Sequence, residues 1–110
     1  MKILIADKLD PSAKLALEDI GHEVQETYSV NSDDLDKHIQ GIEVLVVRST
    51  SVTADALKAA DRLSLIVRAG AGVDNIDVVA ASDLGIHVCN VPGKNAAAVA
   101  ELTFALLLAI

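Results

Sequence analysis

The chain has 110 residues and a net charge of −7, with 52% apolar and 2% aromatic residues. That is enough for one domain whose core is built from Ala, Val, Leu and Ile, and a charged fraction of 23% is not that of a disordered chain. The acidic balance excludes a nucleic-acid or anionic-membrane partner held by bulk charge. No stretch reaches the ~18 residues that a bilayer span needs, so no membrane partner is expected.

The first β-type run is KILIA (2–6), too short for a signal peptide and followed at once by charge. Asp10-Pro11 then reads as an N-cap with Pro at the first helical position, and Gly21 closes that helix. HEVQE (22–26) is polar and reads as an edge strand. Asn31 or Ser32 caps the second helix, with Asp33 and Asp34 in its first turn and Gly41 at its end. EVLVV (43–47) is nearly all apolar, as a strand covered on both faces should be. Thr53 caps the third helix, which runs through Ala56, Leu57 and Ala60. SLIVR (64–68) is the fourth strand. Asp74 or Asn75 opens the fourth helix and Gly85 ends it. IHVC (86–89) is the fifth strand, and Asn95 opens a fifth helix that runs to the chain end.

Strict alternation of strand and helix implies parallel strands joined by right-handed crossovers. The expectation is an α/β, flavodoxin-like, doubly wound sheet of five parallel strands in the order 2-1-3-4-5, with helices on both faces and the polar second strand at the edge. The single cysteine, Cys89, lies in an apolar run. It makes no internal disulfide and reads as a small buried hydrophobe rather than a nucleophile, in a reducing cytoplasm.

The fifth helix, AAAVAELTFALLLAI (96–110), has Glu101 and Thr103 as its polar positions and ends without glycine, basic last turn or cap. A helix apolar nearly all round expects cover on nearly all sides. The reading is a domain over 1–94, the start of a helix crossing to a second domain over 95–110, and a chain cut there, whether naturally or by engineering. An exposed apolar side on that helix would pair two chains, so a homodimer through the C-terminal helix is expected.

Gly70-Ala71-Gly72-Val73-Asp74-Asn75 follows a strand and precedes a helix, as a dinucleotide fingerprint does. It fails as one, because Asn75 stands at the third glycine position and no acid falls between Asp83 and Glu101 to hold a ribose. A tight turn, or an anion cradle of backbone N–H groups, remains open. Ligands of open α/β sheets bind beyond the carboxyl ends of the strands. Those ends carry Asp7-Lys8, Thr27-Tyr28, Arg48-Ser49-Thr50, the Gly70 loop and Asn90 to Lys94. Arg48, Arg68, Lys8 and Lys94 make a local positive concentration there. Arg48-Ser49-Thr50 offers a guanidinium fork and two hydroxyls, chemistry suited to a carboxylate or phosphate; Arg68 either joins it or pairs with Asp74. His22, His38 and His87 have no metal-ligand spacing, so no metal is expected. A phospho-acceptor receiver domain shares the strand order, but it needs an acidic pair after strand one and an Asp ending strand three. Here those positions give Asp7 alone and Val47-Arg48.

The opening KILIAD, VRSTSVTADAL (47–57) and the run from LIVRAGAGVDNID through Asn90-Val91-Pro92 to Asn95 and Val99-Ala100-Glu101 together resemble the D-isomer-specific 2-hydroxyacid dehydrogenases, over essentially the whole chain. The resemblance implies two similar domains, the first holding the hydroxyacid and the second binding NAD. It implies that Arg48 and Ser49 contact the acidic groups of a small anionic 2-hydroxyacid. The amides of Ala71, Gly72 and Val73 would hold its carboxylate, with Ala71 also near the nicotinamide, and Asn90 would line the cleft. The family's cofactor fingerprint and its catalytic arginine, glutamate and histidine lie beyond residue 110. The full-length parent is therefore expected to use NAD to oxidise a 2-hydroxyacid to a 2-oxoacid. This chain alone is expected to hold no cofactor and no catalytic residue, to act at most as a weak anion-binding module, or to keep a structural role only.

Overall fold

Five parallel strands form one sheet in the order β2-β1-β3-β4-β5. The computed structural model describes residues 1–7, 11–19, 21–27, 34–70, 72 and 74–91. The strands are β1 (Lys2–Ile5), β2 (Glu23–Glu26), β3 (Val44–Val47), β4 (Leu65–Ala69) and β5 (His87–Val91), and between them run α1 (Pro11–Asp19), α2 (Leu35–His38), α3 (Ala54–Ala59) and α4 (Val78–Asp83). The flavodoxin-like α/β expectation holds in strand number, direction and order. Asp10, Asn31 and Ser32, expected as caps, lie outside the described residues, as do the crossing helix over 95–110 and the homodimer expected through it.

Side-chain alternation along the strands divides the core into two layers. One face carries Leu4, Leu45, Val47 and Ile66, covered by Leu35 of α2, Leu57 of α3 and Ala81 of α4. The other carries Ile3, Ile5, Val44, Val46, Leu65 and Val67, with Leu17 of α1 among them. Helices thus lie on both faces. Burying each such Val, Leu or Ile contributes about 1.5–3 kcal/mol, and all of β3 is buried, which explains its unbroken apolar run. The register Glu23 to Lys2 leaves β2 at the edge, where Glu23 and Gln25 are exposed and a polar sequence costs little.

Turn chemistry fixes most boundaries. Thr53 accepts a hydrogen bond from the Ala56 amide at 3.3 Å, as an N-cap should. After α4 the Gly85 amide donates to Ser82 O and the Ile86 amide to Ala81 O, with Gly85 at φ +75°; this closure needs a left-handed residue, hence glycine. One boundary departs from expectation: Asp77, not Asp74 or Asn75, caps α4, accepting from the Ala80 amide at 3.0 Å. The cause is a short parallel bridge between Val52 and Ile76. Val52 donates to Asn75 O and Asp77 donates to Val52 O, which ties residues 75–77 to Val52 before the helix begins. Asn90 also lies within β5 rather than just past it, paired with Arg68 of β4.

Candidate functional site

The carboxyl ends of β1, β3, β4 and β5 meet along one edge of the sheet. β3 stops at Val47 and the chain turns through Arg48-Ser49-Thr50. The strand next to it, β1, ends at Ile5, and Asp7 just beyond it lies beside this turn. One oxygen of Asp7, Oδ2, accepts from the Arg48 amide at 2.6 Å and from the Ser49 and Thr50 amides at 2.9 Å each. Its Oδ1 accepts from the Thr50 hydroxyl at 2.9 Å. Burial alone would push the Asp7 carboxyl up, but these bonds outweigh it and hold it below its ordinary value of 3.8.

The far side of the same loop is tied by its carbonyls. Asn75 Nδ2 donates to Thr50 O at 2.7 Å and to Arg48 O at 3.4 Å, while its buried Oδ1 has no hydrogen-bond partner among the described residues. Arg68 donates from Nε to Arg48 O at 3.2 Å and from Nη1 to Gly72 O at 2.9 Å. Its guanidinium lies against Gly70, where an added Cβ would meet Nη1 at 3.1 Å. Gly72 sits at φ +84°, a conformation that L side chains rarely adopt. Asn90 Nδ2 donates to Gly70 O at 3.3 Å.

Four of the expected site residues, Arg48, Ser49, Gly72 and Asn90, are therefore drawn into one network. Ala71 and Val73 lie outside the described residues. Arg48 and Ser49 are both exposed. With the loop's amides engaged by Asp7, an incoming anion is left the Arg48 guanidinium and the Ser49 hydroxyl. Arg68 thus joins the network around Arg48, one of the two roles weighed from sequence. From sequence, Asp7 stands out as a strand-end residue and an incomplete acidic pair, and Asn75 as a candidate helix cap and a missing glycine, neither as a brace for the Arg48–Thr50 loop. The signal for both was present: strand order 2-1-3 puts the residue after β1 beside the loop after β3.

Other chemistry is sparse at this edge. Among the described residues no group of His, Cys, Asp and Glu could hold a metal ion, and no helix is long and apolar enough to cross a membrane. His22 bonds the N-terminal ammonium at 3.2 Å, and His87 begins β5, so both belong to the opposite edge. Burial pushes the free Cys89 thiol up, away from the thiolate form.

Residues 3–107 match the model of the D-isomer specific 2-hydroxyacid dehydrogenase catalytic domain. The chain belongs to this family. It is 44% identical over 110 residues to the D-3-phosphoglycerate dehydrogenase of Rattus norvegicus and 46% identical over 110 residues to that of Methanocaldococcus jannaschii. Each comparison covers 99% of this chain and 21% of the relative, so the chain spans about a fifth of the length of these curated relatives. The NAD+-bound 3-phosphoglycerate dehydrogenase of Entamoeba histolytica matches with a TM-score of 0.73 at 35% identity, over 97% of this chain and 38% of that one.

The family's cofactor does not fit the described residues by themselves. Where a dinucleotide fingerprint has its third glycine, Asn75 is bonded to the Arg48–Thr50 loop, and the Gly70 turn is packed under Arg68.

Proposed function

We propose that this chain is the substrate-side domain of an NAD-dependent 2-hydroxyacid dehydrogenase of the phosphoglycerate type, working in a reducing cytoplasm. In the parent enzyme it would hold the acidic groups of a small 2-hydroxyacid while a second domain supplies the nicotinamide that takes up hydride. Arg48 is the guanidinium fork for a carboxylate or phosphate, Ser49 adds a hydroxyl donor, and Asn90 and the Gly70–Gly72 turn border the same edge. The observation that carries this reading is the placing of two exposed ligand-type side chains on a loop whose own backbone groups are engaged by Asp7, Asn75 and Arg68. The Asp7 carboxylate at this edge is engaged by the loop amides, and the reading for the isolated chain is binding rather than turnover.

Titration of the isolated chain with 3-phosphoglycerate, followed by amide NMR, tests this. Shifts are expected at Arg48, Ser49, Thr50, Gly70, Gly72 and Asn90, with an affinity on the order of millimolar. Arg48→Ala is expected to remove them. Added NAD is expected to produce no NADH absorbance. Shifts spread evenly over the surface, or unchanged in Arg48→Ala, would leave a domain with a structural role only.

A further inference from the structure

We propose that Asp7 is a positioning residue for the anion site: its carboxylate fixes the backbone of Arg48–Thr50 and thereby sets where the Arg48 guanidinium and the Ser49 hydroxyl stand. The inference rests on the reading of Arg48 and Ser49 as substrate-binding groups.

Successive amides that converge on one point form a cradle for an anion. Here the amides of Arg48, Ser49 and Thr50 converge on Asp7 Oδ2 within 2.6–2.9 Å. The cradle is filled by a carboxylate of the chain itself, 41–43 residues away in sequence. Two consequences follow. The loop amides are withdrawn from any external anion, so recognition passes to side chains. The loop is also anchored from both sides, by Asp7 on its donors and by Asn75 and Arg68 on its acceptors. A bidentate guanidinium contact tolerates little error in position, so a supporting shell of this kind governs affinity. A merely structural Asp7 would stabilise the fold and leave the affinity of folded molecules untouched. A positioning Asp7 changes that affinity.

The test uses the whole 110-residue chain with sulfate as probe, a dianion that does not titrate near neutral pH. In Asp7→Ala the amides of Arg48, Ser49 and Thr50 are expected to lose hydrogen-exchange protection while those of β3 and β4 keep theirs. Sulfate affinity should fall about tenfold, equivalent to ~1.4 kcal/mol. Formate then separates the possibilities by sign. In the wild type it competes at Arg48 and weakens sulfate binding. In Asp7→Ala it enters the vacated cradle, restores loop protection and strengthens sulfate binding. Asp7→Asn, which keeps the volume and one acceptor oxygen, is expected to fall between the two and serves if Asp7→Ala does not fold. Wild-type binding at residues 48–50 that survives unweakened in the folded variants overturns the positioning role alone. A wild-type loop that does not respond to sulfate overturns the anion-site reading, and this role with it.

Discussion

The two ends of the sheet use the same kinds of contact to opposite effect. At the amino end, the Lys2 amide donates to Glu43 and the Gly41 amide to Asp61. A depression of about 490 Å³ opens there, lined by residues that include Glu43, Asp61, Arg62, Ser64 and His87. At the carboxyl end, side chains bond the backbone of the loop after β3, and Arg48 and Ser49 are exposed. The depression at the amino end is lined by charges of both signs. The loop at the carboxyl end carries Arg48 on a backbone braced by Asp7, Asn75 and Arg68. Concavity is the usual guide to a site, but in an open parallel sheet the ends where strands give way to loops decide where ligands are held.

The sharpest way to break this contrast is Asp7→Ala. It removes four hydrogen bonds to a partly buried carboxylate, and chemical denaturation is expected to show a loss of about 2–3 kcal/mol. No loss would mean that the carboxyl end is no better braced than the other. Next is Asn75→Gly, which restores the third glycine of a dinucleotide fingerprint. It removes the donor to Thr50 O and adds backbone entropy to the unfolded chain, so a loss of about 1–2 kcal/mol is expected, with no gain of NAD binding by calorimetry. NAD binding in that variant would overturn the view that this turn serves the loop.

The smallest effect separates the two ends by pH. Burial, and then the N-terminal ammonium, lower the His22 pKa from 6.5, partly opposed by Glu43. A histidine held below its unfolded value stabilises the fold fully above that value, and the contribution is lost as pH falls through its folded value. Asp7 is likewise lowered, from 3.8, so its contribution persists until pH falls below that range. Amide NMR from about pH 8 to about pH 5 is therefore expected to perturb residues around Met1, His22 and Glu43, while the amides of Arg48, Ser49 and Thr50 change only in stronger acid. A loop that responds first would reverse the assignment.

Much of the architecture was legible because period and punctuation agreed. The apolar run of β3, the polar run of β2 and the Thr53 cap each specify a local state that packing then keeps. The helix caps that depend on distant chain were less legible. Asp74 and Asn75 are good cap residues by type, but they lie in a turn before the Val52–Ile76 bridge, and the cap falls to Asp77. Arg48 and Ser49 were visible as ligand-type residues at a strand end. Their support was not, because Asp7 and Asn75 act through contacts spanning 25–43 residues, which no spacing rule contains.

The filled cradle also bears on how the molecule comes together. Asp7 meets residues 48–50 only after β3 has laid itself against β1, past α1, β2 and α2. Contacts of such long sequence separation form against a loop-closure cost and are slow to appear. The loop that presents Arg48 therefore gains this bracing only once β3 is paired with β1. A peptide cut to residues 44–53 carries the same guanidinium and hydroxyls without the carboxylate that arranges them. The recognition surface belongs to the assembled sheet and not to the segment that displays it.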